Sequence, residues 1–123
     1  MPPINYCSTP EFDKDFKRLL KRFRTLKEDF EIMKKAAIET YHLLNIQTQS
    51  IVTIQNFCGQ NYLSMKVRKM ACKSLKGKGV QSGLRVIYVY EPQKEKITFV
   101  EIYYKQDQEN EDKERLKKLL KNR

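Results

Sequence analysis

The sequence predicts an α+β fold, in which a small antiparallel sheet carries an N-terminal αα-hairpin packed on it and a short C-terminal helix. Two patterns support this fold class. Apolar residues recur at helical spacing through the first 44 residues, whereas β-branched and aromatic residues cluster in short runs between residues 84 and 104. Because the 123 residues contain no repeat, low-complexity tract or linker, we expect a single domain over 1–123.

The N-terminal part predicts a short strand at 4–7 followed by two helices. Thr9 is suited to cap the first helix, since a proline and then acidic residues follow it. One apolar stripe runs along this helix and consists of Phe12, Phe16, Leu19, Leu20 and Phe23. Thr25, with a glutamate three residues later, opens a capping box for a second helix that extends to about residue 44. Two such helices with almost no linker predict an antiparallel hairpin whose apolar face lies on the sheet.

The C-terminal part predicts strands and a last helix. The segment 51–55 is a short strand or an ordered loop. Stronger strands cover 65–75, 84–90 and 97–104, and the turns between them lie at 77–79 and 91–95. Acidic residues at 107–112 precede basic residues at 113–123, which matches the dipole of a helix at about 110–121.

The charge of the chain favours a polyanionic partner. Its 25 Lys and Arg residues outnumber 15 Asp and Glu, for a net charge of +10, and nucleic acid is the commonest partner of such proteins. No acidic residue lies between residues 65 and 85, where seven basic residues cluster: Lys66, Arg68, Lys69, Lys73, Lys76, Lys78 and Arg85. We expect the six residues from Lys66 to Lys78 to bind RNA. The alternative is a hairpin turn that the lysines keep soluble.

The remaining features indicate a cytoplasmic protein. The N-terminus lacks the basic and apolar segments of a secretion signal, and no apolar stretch approaches the roughly 20 residues of a membrane span. Cys7, Cys58 and Cys72 form no CxxC pair, which argues against a disulfide framework and a zinc site. The only histidine, His42, falls in a helical pattern, where we expect a packing or surface role. We therefore expect no metal, no cofactor and no membrane partner.

Arg85 stands directly before an apolar strand, at the start of the run VIYVY. A guanidinium in such a place needs an anionic partner or access to water. One possibility is an ion pair with Glu101 on the next strand, and the other is a site that binds phosphate. Basic side chains can stabilise charge on a phosphoryl group, while RNA supplies its own nucleophile, the 2′-OH. These parts suffice for a ribonuclease that uses no metal.

Three stretches carry a resemblance that spans nearly the whole chain in the right order: TPEFDKDFKRLLKRF, MKVRKMACKSLKGKGVQSGLRVIYVY and ITFVEIYYKQDQENED. On these stretches the chain resembles the RelE/ParE superfamily of toxins from bacterial type II toxin–antitoxin systems, in its RelE-like branch. The resemblance implies a small curved sheet under an αα-hairpin. It also implies cleavage of mRNA in the A site of the ribosomal 30S subunit, where a 2′-OH attacks the adjacent phosphate without a metal or cofactor. A cognate antitoxin would neutralise the protein by wrapping it.

The resemblance also implies which residues form the site. Arg85 matches the arginine of the family's G-x-R-x-x-Y strand and would contact the scissile phosphate. Lys66 and Arg68 match basic residues of the preceding strand, and Lys105 matches the basic residue that ends the last strand. A longer turn in this chain creates three rival assignments, which are Lys73, Lys76 and Lys78.

The residue that transfers the proton is open at this point. RelE itself has a tyrosine in its C-terminal region, whereas this chain has none after Tyr104, so Tyr103 or Tyr104 would have to substitute. Two functions of other classes are alternatives to the nuclease. One is a non-enzymatic inhibitor of DNA gyrase like ParE, and the other is an RNA-binding or ribosome-binding module without chemistry. The clustered cations favour the nuclease over the gyrase inhibitor.

Overall fold

The computed structural model describes residues 4–79 and 81–121, and its strands form one five-stranded sheet. The strands are β1 (Asn5–Ser8), β2 (Ile51–Thr53), β3 (Leu63–Val67), β4 (Leu84–Glu91) and β5 (Lys96–Tyr104). They lie in the order β1-β5-β4-β3-β2, and every neighbouring pair is antiparallel except β1 and β5. The predicted α+β class is confirmed, but the sheet is mixed. No tight turn joins β1 to β5, so their connection does not impose an antiparallel pairing.

The N-terminal hairpin forms as predicted. Its parts are α1 (Pro10–Arg22), α2 (Leu26–Met33), a π-helical stretch (Lys34–Glu39) and a last turn, α3 (Thr40–His42). Thr9 caps α1, since its hydroxyl oxygen accepts the Phe12 N–H at 3.1 Å. The capping box predicted at Thr25 does not form, because its hydroxyl donates to the buried carboxylate of Asp29 at 2.6 Å.

Both faces of the sheet are covered. The hairpin packs on one face, which we call the hairpin face. Its buried apolar strand residues are Ile51, Met65, Val67, Leu84, Val86, Tyr88, Ile97, Phe99, Ile102 and Tyr104. The last helix, α4 (Lys113–Leu120), packs on the opposite face through Leu116, which is only 1% exposed. The buried strand residues of this α4 face are Ile87, Val89, Val100 and Tyr103. Burial on both faces explains why β4 and β5 read as nearly continuous apolar runs.

His42 packs against the hairpin face at the end of α3. Its Nε2 atom lies 2.7 Å from the hydroxyl of the fully buried Tyr88, and its ring centroid lies 4.1 Å from that of Tyr90. Burial lowers the pKa of His42 to about 4, so the imidazole is neutral at pH 7. Of the two roles expected for His42, packing or surface, the structure shows packing.

A β-bulge interrupts β5 at Val100. On β4, Ile87 pairs with Glu101 and the next residue, Tyr88, pairs with Phe99. Val100 is therefore an extra residue in the ladder. The Val100 carbonyl accepts a hydrogen bond from the Arg115 guanidinium of α4 at 3.1 Å. The same guanidinium lies 2.6 Å from the carboxylate of Asp15 in α1. The bulge is therefore the point at which α1, β5 and α4 are joined.

The strand predicted at 65–75 is shorter than expected. The observed strand, β3, begins at Leu63 and ends at Val67. Continuing the observed register would place Arg68 directly opposite Arg85, and like charges in that position destabilise a ladder. The chain instead follows an irregular path over 68–79 and 81–83, and we call these residues the basic loop. Ser74 attaches this loop to the start of α2, since its hydroxyl lies 2.9 Å from that of Thr25.

Candidate nucleic-acid interface

Basic side chains converge at one end of the sheet. β3 ends, β4 begins and β5 ends there, because these neighbouring strands are antiparallel. Arg85 is the second residue of β4, whereas Arg68 and Lys105 directly follow β3 and β5. The two-residue alternation of strands places Lys66, Arg85 and Tyr103 on the α4 face. Residues that are far apart in the sequence are thus brought to a common edge.

These strand ends enclose a cleft of about 690 Å³, which we call the basic cleft. It is lined by Arg68, Lys69, Lys78, Gln81, Ser82, Gly83, Arg85, Lys105 and Gln106. Five of these residues are cationic, and the described part of the chain contributes no acidic residue to the lining. A concave surface with this charge concentrates phosphate groups, and it does so more weakly as the salt concentration rises.

Arg85 lies in the basic cleft without a carboxylate partner in the described ranges. Its register partner across the ladder is Tyr103. The guanidinium makes only a long contact of 3.4 Å with the Leu84 carbonyl. The alternative ion pair with Glu101 is absent, because that buried carboxylate accepts hydrogen bonds from the Gln108 amide at 2.7 Å and from a backbone N–H at 2.8 Å. The Arg85 guanidinium is therefore available to an anion.

A smaller hollow of about 360 Å³ adjoins the basic cleft and shares Arg68, Arg85 and Lys105 with it. We call it the side hollow. At its wall the Lys66 ammonium lies 2.9 Å from the Glu111 carboxylate. Burial alone would lower the pKa of Lys66, but the interactions with Glu111 and Tyr103 together outweigh burial and hold the pKa above its usual value. Burial likewise opposes, but does not prevent, a lowering of the pKa of Glu111, so both groups are charged at neutral pH.

The two candidate tyrosines lie on opposite faces of the sheet. Tyr103 is on the α4 face, where the Lys66 ammonium lies 5.8 Å from its ring centroid, and burial raises the pKa of its hydroxyl. Tyr104 is on the hairpin face, where its ring packs edge-on against Phe23 at 5.0 Å. Both tyrosines are buried. Only Tyr103 is close to the cations of the side hollow.

No protein-family model and no curated protein sequence matches the chain. Its fold is similar to the crystal structure of an archaeal RelE–RelB complex from Pyrococcus horikoshii OT3, with a TM-score of 0.51. The similarity covers 84% of this chain and 96% of the other chain, at 10% sequence identity. The fold is RelE-like. This similarity confirms the predicted architecture, and the structural neighbour is a complex with RelB.

The RelE-like fold places some of the lysines predicted to bind RNA in the basic cleft and others outside it. Lys69 and Lys78 line the basic cleft. Lys73 lies outside it and pairs with Glu28 of α2 at 2.7 Å. Lys76 is exposed and is not among the residues that line the basic cleft. Among the rival assignments, only Lys78 therefore joins Arg85.

The backbone of the RelE-like fold positions Arg85 through the turn that precedes it. Gly83 has φ +92°, a backbone conformation that residues other than glycine rarely adopt. A Cβ atom at this position would also lie 3.2 Å from the Tyr104 ring. The Gly83 carbonyl accepts the Lys105 N–H at 2.8 Å, which closes the strand ends against each other. The Ser82 hydroxyl donates to the Met70 carbonyl at 2.7 Å and fixes the end of the basic loop.

Several residues of the site were not predicted from the sequence. Gln81, Ser82 and Gln106 line the basic cleft, and neutral polar residues in a loop give no pattern that marks them. The acidic residues before α4 were assigned to the helix dipole. Asp112 does cap α4, since its carboxylate accepts the Arg115 N–H at 3.1 Å. Glu109, however, lines the side hollow, and Glu111 pairs with Lys66 of that hollow, which lies 45 positions away in the chain.

Two other features of the described residues bear on the chemistry. No three His, Cys, Asp or Glu side chains in these ranges are grouped closely enough to hold a metal ion. Within the same ranges, none of the helices combines the length and the apolar character that a membrane crossing requires.

Proposed function

We propose that this chain is the toxin of a bacterial type II toxin–antitoxin system, in the RelE-like branch, and that it cleaves mRNA in the 30S A site of ribosomes in the cytoplasm. One observation carries the proposal. Arg85 lies in a cleft of five cations at the end of a RelE-like sheet, and the described residues offer it no carboxylate partner. An arginine held in this way suits a phosphate that enters from outside the protein.

In the proposed reaction the 2′-oxygen of one nucleotide attacks the adjacent phosphorus atom. The bond from phosphorus to the 5′-oxygen breaks, which yields a 2′,3′-cyclic phosphate and a 5′-hydroxyl. One proton leaves the 2′-oxygen, and one is delivered to the 5′-oxygen. Arg85 binds the non-bridging oxygens and stabilises the charge that accumulates on them in the transition state. Because RNA supplies the nucleophile, the chemistry needs neither a metal nor a cofactor.

The other cations have supporting roles in this proposal. Arg68 and Lys105 line both the basic cleft and the side hollow together with Arg85, and they bind the phosphates next to the scissile one. Lys66 stays protonated because Glu111 raises its pKa, so it contributes charge and does not act as a general base. Tyr103 orients Lys66 through its ring. The position of Tyr104 on the hairpin face leaves it with a packing role.

A cognate antitoxin completes the proposal. The structural neighbour is a RelE–RelB complex, and a cleft with this excess of positive charge suits an acidic segment of a partner protein. Such a segment competes with RNA for the same cations.

The proposal is tested by expressing the chain in bacterial cells and mapping the 5′ ends of cellular RNA. We expect new ends at a fixed position within codons of translated mRNA. DNA damage without such ends would indicate a gyrase inhibitor like ParE, and ribosome binding without any RNA ends would indicate a module without chemistry. A minimal RNA substrate assayed in EDTA tests metal independence separately, because ribosomes themselves need Mg²⁺.

A further inference from the structure

An apolar groove of about 470 Å³ lies outside the basic cleft, between α2 with its π-helical extension and the basic loop. Its apolar lining consists of Ile32, Met33, Ala36, Ala37, Met70 and Ala71. Met33 and Met70 are buried and form the floor, whereas Ile32 is 51% exposed at the rim. A groove of this size with a half-exposed isoleucine at its edge leaves apolar surface without a covering element in the described part of the chain.

The local sequence explains why the groove is open. Ala36 and Ala37 lie within the π-helical stretch, and their short side chains leave the space between the helix and the basic loop unfilled. Methionine side chains on the floor adapt to different apolar partners, because the thioether chain is flexible and polarisable. The groove is therefore suited to take up aliphatic side chains from another molecule.

The two ends of the groove differ in charge. At one end the charged side chains already have partners within the chain. The Asp29 carboxylate accepts the backbone N–H of Lys73 at 3.0 Å, and the Lys73 ammonium pairs with Glu28. At the other end, Lys69 makes no ion pair with any described residue and lines both the groove and the basic cleft. Lys69 thus connects the apolar groove to the basic cleft.

We propose that the groove docks an amphipathic acidic segment of a protein partner. Its aliphatic side chains enter the groove, and the acidic residues that follow pass Lys69 into the basic cleft. RNA does not fit this surface, because it carries no aliphatic side chains. A second copy of the chain does not fit either, because each copy carries a net charge of +10. The inference rests on the proposed function in one respect, namely that the partner is the antitoxin.

Binding of a synthetic peptide tests the groove directly. The probe is a fluorescein-labelled peptide with a Leu-Ala-Ala-Leu segment followed by a run of glutamates, and the control peptide has serine in place of both leucines. We expect Ile32→Asp to weaken binding of the leucine peptide by ~10-fold or more, since it places a carboxylate at the apolar rim. Leu44→Asp is the matched control, because Leu44 is also 51% exposed and does not line the groove. A second groove variant, Ala36→Glu, is expected to weaken binding similarly.

The outcomes separate this inference from the proposed function. Equal peptide affinities for wild type, Ile32→Asp and Ala36→Glu would overturn the groove, even if the protein cleaves RNA. Dimerisation of the wild type that Ile32→Asp abolishes would make a second copy the occupant and would also overturn it. Groove-dependent peptide binding without RNA cleavage would leave the groove in place and refute the nuclease.

Discussion

The Lys66 ammonium and the Glu111 carboxylate form an ion pair of 2.9 Å at the wall of the side hollow, and both side chains are mostly buried. One cation of the proposed site is thus compensated by the chain itself. The segment that supplies Glu111 is held in place by Glu101, which accepts the Asp112 N–H at 2.8 Å. RNA that approaches Lys66 therefore meets a carboxylate as well as an ammonium group.

Glu111→Gln should strengthen RNA binding, because it removes this carboxylate and leaves Lys66 free to bind phosphate. We expect the slope of log affinity against log salt to steepen by about one released counterion. Glu114→Gln is the control, since it makes the same charge change at an exposed residue that pairs with Lys117 outside the site. Fluorescence anisotropy over a salt series measures both variants, and identical slopes for the two would contradict the prediction.

The same substitution should lower stability by about 1–3 kcal/mol at pH 7, because it leaves the mostly buried Lys66 ammonium without its anionic partner. The pKa of Glu111 is lowered in the folded protein, so the stabilisation is present at neutral pH and is lost as the pH falls through the folded pKa. In urea unfolding at successively lower pH, the free energies of wild type and Glu111→Gln should converge once the pH falls below the lowered pKa of Glu111 and its carboxyl is protonated.

Arg85→Ala should reduce RNA cleavage by ~10²-fold or more, because a lost phosphate contact removes transition-state stabilisation. The free energy of unfolding should change by less than about 0.5 kcal/mol, since the substitution breaks no ion pair within the described residues. Arg24→Ala, at an exposed position outside the basic cleft, controls for the loss of one positive charge. A folded Arg85→Ala protein that cleaves RNA at the wild-type rate would refute its role.

Arg115→Ala should loosen α4. The guanidinium bridges the buried Asp15 carboxylate and the Val100 carbonyl. Its loss leaves Asp15 with only the longer contact to Arg18 at 3.4 Å, which costs about 2 kcal/mol. Hydrogen exchange should show faster exchange across Lys113–Leu120, while β4 stays protected. Lys117→Ala, which removes only an exposed pair, should leave the exchange of α4 unchanged.

His42→Gln should remove one source of acid sensitivity. The pKa of His42 is lowered to about 4 by burial, whereas an unfolded histidine titrates near 6.5. The unfolded chain therefore binds a proton first as the pH falls from 6.5 to 4, and wild-type stability declines across that window. As the pH falls over this range, we expect the free energy of unfolding of the wild type to decline relative to that of His42→Gln by up to about 3 kcal/mol. Parallel pH profiles from urea unfolding would contradict this.

The periodic elements of the fold could be predicted from the sequence because their burial is regular. β4 and β5 lie within one residue of their expected ends, and Thr9 caps α1 as its residue type suggests. The register between the two strands could not be predicted. Val100 is apolar like its neighbours, so nothing in the pattern marks it as the extra residue that places Arg85 opposite Tyr103.

The sequence predicted that basic residues cluster in one segment, but not which of them share one surface in the folded protein. Seven basic residues share one segment, yet the basic loop turns Lys73 towards α2 and Lys78 towards Arg85. That difference depends on side-chain contacts with α2, which sequence periodicity does not encode. The pairing of Lys66 with Glu111 depends in the same way on the tertiary path of the chain.

The bulge at Val100 has an evolutionary consequence. Deleting that residue would make Phe99 and Glu101 consecutive and would keep both of their pairings with β4, so the sheet itself does not require it. What would be lost is the carbonyl on which Arg115 is anchored, together with the buried Val100 side chain of the α4 face. Among homologous sequences, we therefore expect one-residue deletions at this point to coincide with the loss of the basic residue at position 115 and the acidic residue at position 15. An alignment in which the deletion and the ion pair occur together would show that the helix has another anchor.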